Sequence, residues 1–145
     1  MRGMVKSLRL EHQVTFSPHI PGRRYLYSAF DIVVVPNLRG GLGSTALEAM
    51  SLGKPVVATA AGEILHIIQD RKTGLLVPEG DVAALTARIL ELIRNPELAQ
   101  SLGQAARNFV VEHFALAPMV EATREFYGQS LARYQERTAS PVALR

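Results

Sequence analysis

The sequence has 145 residues, a length typical of one domain, and 48% of its residues are hydrophobic while 20% are charged. This composition excludes a disordered, collagen-like or fibrous protein. Because the chain has no cysteine, a disulfide framework, a thiol nucleophile and a zinc–thiolate site are excluded as well.

Targeting segments are not evident in the sequence. The longest purely aliphatic run, residues 32–35, is far too short to span a bilayer. The first ten residues have a positive flank but no continuous apolar stretch, which argues against a signal peptide. A cytoplasmic location is therefore expected.

The net charge of +3 is concentrated in residues 1–24, which carry five basic side chains against the single acid Glu11. These basic residues neither alternate with aromatic residues nor line one helix face, so a nucleic-acid partner is not expected. Two interpretations of the basic segment stay open: a solvated chain end, or peripheral contact with an acidic membrane surface.

Strand-like and helix-like segments alternate along the first 80 residues. Such alternation is typical of βαβ units, and it predicts an α/β fold with a Rossmann-like parallel sheet of about four strands covered by helices. The aliphatic runs are continuous, which indicates strands buried on both faces. The predicted strands are residues 13–16, 31–35, 55–59 and 74–77, and the predicted helices between them are residues 25–30, 45–52 and 62–69.

Three further helices are predicted in the last third of the chain. Asp81 is placed to cap the first, whose Val82, Leu85, Ile89 and Leu92 share one face. Asn95 and Pro96 begin the second. The third begins at Pro118, and its apolar stripe is formed by Met119, Thr123, Phe126, Tyr127, Leu131 and Tyr134. Residues 1–136 are assigned to the folded domain and residues 137–145 to a flexible tail.

The segment most suggestive of chemistry is residues 36–49, PNLRGGLGSTALEA. A buried strand ends, a glycine-rich loop follows, and a helix begins near Thr45. Backbone N–H groups and the positive end of a helix dipole then point at one spot, where a phosphate would be stabilised. Glu48 is the only charge on this helix.

Two local interpretations compete with a ligand role for this segment. Thr45 and Glu48 have the spacing of a capping box, in which the carboxylate would reach back to the Thr45 N–H. Gly41, Gly43 and Ala46 also match a dinucleotide fingerprint. The fingerprint is disfavoured because Gly41 lies too far beyond the strand end and because the next strand ends in Thr59 rather than an acid.

The order of motifs from Val14 to Tyr134 resembles the C-terminal, nucleotide-sugar-binding part of a retaining GT-B-fold glycosyltransferase of group 1 (family 4). The resembling pieces are VTF, YLYSAFDIVVVPN, GGLG with LEAM, GKPVVAT, TGLLVPEGD and ARNFVVEHF. The resemblance implies a partial GT-B domain that binds a nucleotide diphosphate sugar, without the N-terminal acceptor domain, so that this chain alone is expected to be inactive in sugar transfer.

Site residues are implied by the same resemblance. Glu48 corresponds to the second acid of the family's E-x7-E motif, which holds the ribose hydroxyls. Backbone amides that meet the sugar and diphosphate would come from Gly41, Leu42, Gly43, Ser44 and Thr45. The nucleobase would lie beside Pro18, His19 and Ile20, although His19 is also interpreted as an exposed loop residue.

This sequence departs from the family pattern at the loops expected to face the sugar. The first acid of the motif is Gly40 here, and the family's G-G-x-x-E reads Gly62, Glu63 and then His66. His66 is interpreted as a structural histidine. No residue is assigned a catalytic role, and no metal or cofactor is expected. A non-catalytic domain for binding or assembly is therefore a second hypothesis.

Assembly is the last inference from the resemblance. The related domain has strand order 3-2-1-4-5-6, and this chain corresponds to the part that begins at strand 3. The strand at residues 32–35 is then left with an unpaired edge, and the final helix with an uncovered apolar stripe. Direct pairing of residues 14–16 with residues 32–35 is one expected response. A homodimer is the other, and it is favoured because a two-fold interface protects the same patch on both copies.

Overall fold

The computed structural model describes residues 1–17, 23–36 and 43–139. Helices and strands alternate in these ranges until the end of the third strand, after which three long helices follow. The elements are α1 (Arg2–Ser7), α2 (Arg23–Ser28), β1 (Val33–Val35), α3 (Ser44–Ser51), β2 (Val56–Thr59), α4 (Ile64–Ile67), β3 (Leu75–Val77), α5 (Val82–Arg94), α6 (Pro96–His113) and α7 (Leu116–Ala139).

The strands form a parallel sheet in the order β1-β2-β3. Val33 of β1 lies opposite Val56 of β2, and Val57 of β2 lies opposite Leu75 of β3. The predicted α/β class with a parallel sheet is confirmed. The described residues contain three of its strands rather than about four.

The strand predicted at residues 13–16 is wrong. Residues 14–17 lie outside any helix or strand. The Val14 N–H donates to the carbonyl of Leu10 at 3.0 Å, and the Arg2 guanidinium lies 4.8 Å from the centre of the Phe16 ring. A β-prone sequence forms a strand only where a neighbouring strand satisfies its backbone, and here β1 pairs with β2 instead. Direct pairing of residues 14–16 with residues 32–35 is therefore not observed.

The sheet is buried on both faces, as its continuous aliphatic runs predicted. Val33, Val35 and Ala58 belong to the core that includes α3 and α4. Val57 and Leu75 belong to the opposite core, where side chains of α5 and α6 cover them. Each residue of the central strand β2 is buried. This double burial fixes the positions of the strand ends at the carboxyl edge of the sheet.

Helices α5 and α6 begin where the sequence predicts. An Asp81 carboxylate oxygen accepts a hydrogen bond from the Ala84 N–H at 2.8 Å, and the Asn95 side chain accepts one from the Leu98 N–H at 3.0 Å. Val82 does not face the core, since it is 72% exposed. It occupies the first helical position of α5.

Helix α7 begins at Leu116, two residues before Pro118, and runs through Ala139. It therefore includes residues 137–139, which the sequence analysis assigned to the tail. The described side chains of its apolar stripe are exposed, as expected for an uncovered stripe. Within the described ranges, no helix is both long and apolar enough to cross a bilayer.

Candidate functional site

The carboxyl ends of the three strands lie at one edge of the sheet, because all three strands are parallel. In open α/β sheets this is the edge at which ligands bind. Two of the connections that start at this edge lead into helices that pack on the same face of the sheet. The first leads from β1 into α3, and the second leads from β2 into α4.

Gly43 is the N-cap residue directly before helix α3, and its backbone conformation is one that glycine alone adopts easily. Its φ angle is +63°, it is buried, and its carbonyl accepts the Leu47 N–H at 3.0 Å. A Cβ atom at this position would overlap Cδ1 of Ile67 on α4 and would lie 3.6 Å from Cδ1 of Ile64. The glycine therefore lets α4 pack directly against the start of α3.

Within the described residues, the first turn of α3 has no side-chain cap. Gly43 is the N-cap residue, and no acidic residue lies in the first turn. The N–H groups of Ser44, Thr45 and Ala46 have no acceptor within the helix, as in any helix start. The capping-box interpretation of Thr45 and Glu48 is therefore wrong, since the N-cap is Gly43, two residues earlier, and Thr45 is already inside the helix.

Glu48 lies one turn after Ser44 on the same side of α3, about 6 Å further along the helix axis. Its side chain is half-buried, and it makes no hydrogen bond or ion pair within the described part of the chain. The buried side of α3 is formed instead by Ala46, Ala49 and Met50. A half-buried carboxylate without a structural partner is available to accept hydrogen bonds from a ligand.

The loop between β2 and α4 ends in Gly62, with a φ angle of +54°, and Glu63. Glu63 is exposed and precedes the first residue of α4. Ile64 and Ile67 are buried against α3, so they turn His66 outward. His66 is exposed, and its interpretation as a histidine packed in the structure is wrong. The observed α4 is also shorter than the helix predicted over residues 62–69.

Part of the predicted site lies outside the described residues. This applies to Gly40, Gly41 and Leu42 of the glycine-rich loop, and to Pro18, His19 and Ile20 of the predicted nucleobase loop. The structure does bring together Gly43, Ser44, Thr45 and Glu48 on one helix start. Among the described side chains, no three histidine, aspartate or glutamate residues lie together as metal ligands would.

A cavity of about 100 Å³ opens at the same edge of the sheet, but on the face covered by α5. It is lined by Pro36, Thr59, Val77, Asp81 and neighbouring residues of the β3–α5 loop. It is too small for a nucleotide, because ligand pockets of that kind have several hundred Å³. The start of α3, on the opposite face, is therefore the better candidate site.

The family model for glycosyl transferases, group 1, matches residues 1–109 of the chain. D-inositol 3-phosphate glycosyltransferase from Salinispora arenicola is 33% identical over 133 residues, which are 90% of this chain and 30% of that protein. The chain thus spans about a third of the length of such relatives.

Solved structures have the same fold. Sucrose-phosphate synthase from Thermosynechococcus elongatus is 33% identical with a TM-score of 0.84, over 91% of this chain and 34% of that one. Anabaena HepE in complex with UDP has a TM-score of 0.85 over 88% of this chain and 35% of that one, at 23% identity, and so shows a likeness of fold alone.

Proposed function

The chain belongs to the group 1 glycosyltransferases, and we propose that the start of α3 binds the nucleotide diphosphate of a sugar donor. The observation that carries the proposal is Glu48, a half-buried residue whose carboxylate has no partner among the described residues, one turn inside a helix whose N-cap Gly43 provides no side-chain cap. The chain shares its fold with HepE, a protein whose structure was solved in complex with UDP.

The N–H groups at the start of α3 and the carboxylate of Glu48 are suited to the phosphates and the ribose of such a donor, respectively. The uncapped N–H groups of Ser44, Thr45 and Ala46 are suited to phosphate oxygens, which also interact favourably with the positive end of the helix dipole. The Glu48 carboxylate is suited to two adjacent ribose hydroxyls, since charged acceptors make the stronger hydrogen bonds. The axial distance of about 6 Å between these groups allows one nucleotide to contact both.

As a member of this family, the chain is proposed to take part in transfer of the sugar from this donor to an acceptor, with retention of configuration. Such a transfer gains much of its rate from holding two substrates side by side. The described residues offer groups for the donor only. We therefore expect the purified chain to produce no acceptor-dependent glycoside from UDP-glucose, even where it binds the nucleotide. Formation of such a product would contradict this expectation.

A second candidate function is a non-catalytic domain for binding or assembly. It is favoured by Glu63, an exposed carboxylate at the end of the β2–α4 loop, because this loop lies beside the start of α3. A negative charge there would repel the diphosphate of a donor. A domain of this kind would retain the fold but would no longer bind a nucleotide.

Calorimetric titration separates the two candidates. The chain is titrated with UDP, GDP and ADP up to roughly 5 mM, a range that detects free energies of binding down to about −4 kcal/mol. Donor binding predicts saturable heat with at least one of these nucleotides. The absence of heat with all three would reject the proposal and leave the assembly function.

A further inference from the structure

We propose that Glu63 shifts the selectivity of the nucleotide site towards the intact sugar donor and against the free nucleoside diphosphate that remains after transfer. This inference rests on the proposed binding of a donor at the start of α3. The carboxylate of Glu63 repels both ligands, but it repels the more highly charged one more strongly.

Glu63 lies close to the start of α3, because the helix that follows it packs there. The Cδ1 atoms of Ile64 and Ile67 approach the position that a Cβ atom of Gly43 would occupy, that of Ile64 at 3.6 Å. Glu63 directly precedes Ile64 in the chain. Since consecutive Cα atoms are about 3.8 Å apart, the backbone of Glu63 lies on the order of 10 Å from the first turn of α3.

The carboxylate of Glu63 has no neutralising partner within the described part of the chain. The residue is exposed, its side chain does not cap α4, and it takes part in none of the described ion pairs. The field of such a charge extends over about 10 Å at an ionic strength near 0.1 M and over about 30 Å near 0.01 M. The start of α3 is therefore within its range.

The first N–H groups of α4 do not offset this negative charge. The N–H groups of Ile64 and Leu65 already donate to the carbonyls of Ala61 and Gly62, each at 3.3 Å. Donors that have an acceptor in the backbone are not available to phosphate oxygens, unlike the unsatisfied donors of a longer helix. The carboxylate of Glu63 thus determines how this loop acts on an anion at the start of α3.

The two ligands differ in charge at the phosphate next to the sugar. In the donor this phosphate is esterified and carries one negative charge, whereas in the free diphosphate it is terminal and carries about two above its second pKa of about 6. The positive end of α3 attracts the more highly charged ligand more strongly, which favours retention of the product. Glu63 opposes this bias, so the spent nucleotide competes less well with fresh donor.

Calorimetric titration of the unmodified chain, Glu63→Gln and Glu63→Lys tests the proposal. Each protein is titrated at about pH 8 and low ionic strength with UDP, GDP and ADP and with the glucose ester of each. Because one unit of charge at about 10 Å changes a dissociation constant roughly two-fold, Glu63→Gln is expected to tighten binding roughly two-fold for the ester and four-fold for the free diphosphate. Glu63→Lys, which changes the charge by two units, is expected to give gains of roughly four-fold and sixteen-fold. The difference between the two gains is expected to vanish in about 1 M salt.

The matched control is Glu112→Gln, which removes the same charge from an exposed position near the end of α6 and is expected to leave both affinities unchanged. Equal gains for the free diphosphate and its glucose ester in the Glu63 variants would overturn this inference while the proposed donor site stands. Binding that appears only after Glu63 is replaced would also overturn it, since the carboxylate would then exclude the donor itself. The absence of heat with all six ligands in every variant would reject the proposed function, and this inference with it.

Discussion

Gly43 and Ile67 are 24 positions apart in the sequence, but the space that a Gly43 side chain would occupy is filled by the Cδ1 atom of Ile67. Ile67 is buried, and it belongs to the same core as the apolar side of α3. The contact therefore links the start of α3 to α4. A change in either residue is expected to alter how the two helices pack against each other.

Substitution of Gly43 by alanine is expected to destabilise the protein by about 2–3 kcal/mol. A non-glycine residue at a φ angle of +63° costs roughly 1 kcal/mol, and the overlap of the new methyl group with Ile67 adds the cost of overpacking. Chemical denaturation followed by circular dichroism measures the change. Gly80→Ala is the matched control, since its φ angle is +74° but no heavy atom lies within 4 Å of its Cβ position.

The contact itself is tested by adding Ile67→Val, which removes the Cδ1 atom. Alone, this substitution is expected to cost about 1 kcal/mol. Combined with Gly43→Ala, it is expected to cost less than the sum of the two single changes, because the overlapping atom is gone. Additive costs in this double-mutant cycle would show that the two residues do not contact each other in the folded protein.

Glu48→Gln is expected to weaken nucleotide binding by about 1–2 kcal/mol, or five- to thirty-fold in the dissociation constant. The amide keeps the shape of the side chain but loses the charge that strengthens hydrogen bonds to ribose hydroxyls. The melting temperature is expected to stay the same, because Glu48 has no described structural partner. Titration of both variants with the best-bound nucleotide measures the difference.

Glu112→Gln serves as the control for loss of one negative charge, since Glu112 is exposed near the end of α6. Its nucleotide affinity is expected to equal that of the unmodified chain. If Glu48→Gln lowers the melting temperature and leaves nucleotide affinity unchanged, Glu48 has a structural role and the proposed ribose contact is rejected.

Local sequence patterns were sufficient for the sheet and for the helix starts. The continuous aliphatic runs predicted β1, β2 and β3, and Asp81 and Asn95 predicted their caps, because each signal depends on residues close together in the chain. Residues 13–16 have an equally strand-like pattern but form no strand. Pairing depends on a neighbouring strand, and a local pattern contains no information on whether one is present.

The sequence indicates which residues are candidates for the site, but not how they pack. The glycine-rich loop and Glu48 were recognised from their order along the chain, whereas the contact of Gly43 with Ile67 links distant residues and has no local signal. The capping box failed for a related reason. Its spacing was present in Thr45 and Glu48, but the N-cap is Gly43 rather than Thr45, and a shift of two residues changes which N–H groups lack an acceptor.

Gly103→Ala is expected to destabilise the protein by 2 kcal/mol or more, roughly the cost of overpacking a closely packed site. A Cβ atom at Gly103 of α6 would overlap the carbonyl oxygen of Gly53, in the turn between α3 and β2. Backbone cannot move aside as a flexible side chain can, so α6 would have to shift away from α3. Thermal unfolding measures the effect.

Gly128→Ala on α7 is the matched control for glycine replacement within a helix. No heavy atom lies within 4 Å of its Cβ position, and alanine favours helix by about 1 kcal/mol over glycine. This variant is expected to be at least as stable as the unmodified chain. A Gly103→Ala variant with the same stability as Gly128→Ala would contradict the close approach of α6 to the α3–β2 turn.

Glu91 of α5 is expected to contribute a pH-dependent stabilisation through two arginines. Its carboxylate accepts hydrogen bonds from Arg88 at 2.9 Å and from Arg71 at 3.2 Å, the latter in the turn before β3. These contacts hold the pKa of Glu91 below its ordinary value of 4.5, and the hydrogen bond from Arg88 has the largest effect. The folded state therefore favours the ionised form, and the stabilisation is present above the ordinary pKa and is lost as the pH falls through the lowered one.

Glu91→Gln is accordingly expected to lower the free energy of unfolding at pH 7 by up to about 1 kcal/mol, the upper range for a partly exposed ion pair. Because the carboxyl is neutral in both states below the lowered pKa, the difference between the variant and the unmodified chain is expected to shrink as the pH falls from 5 towards 2. Denaturation curves at several pH values measure it. Glu79→Gln, at an exposed position in the β3–α5 loop, is expected to show no such difference at any pH. A cost of Glu91→Gln that stays constant from pH 7 to pH 2 would mean that its origin is packing rather than charge.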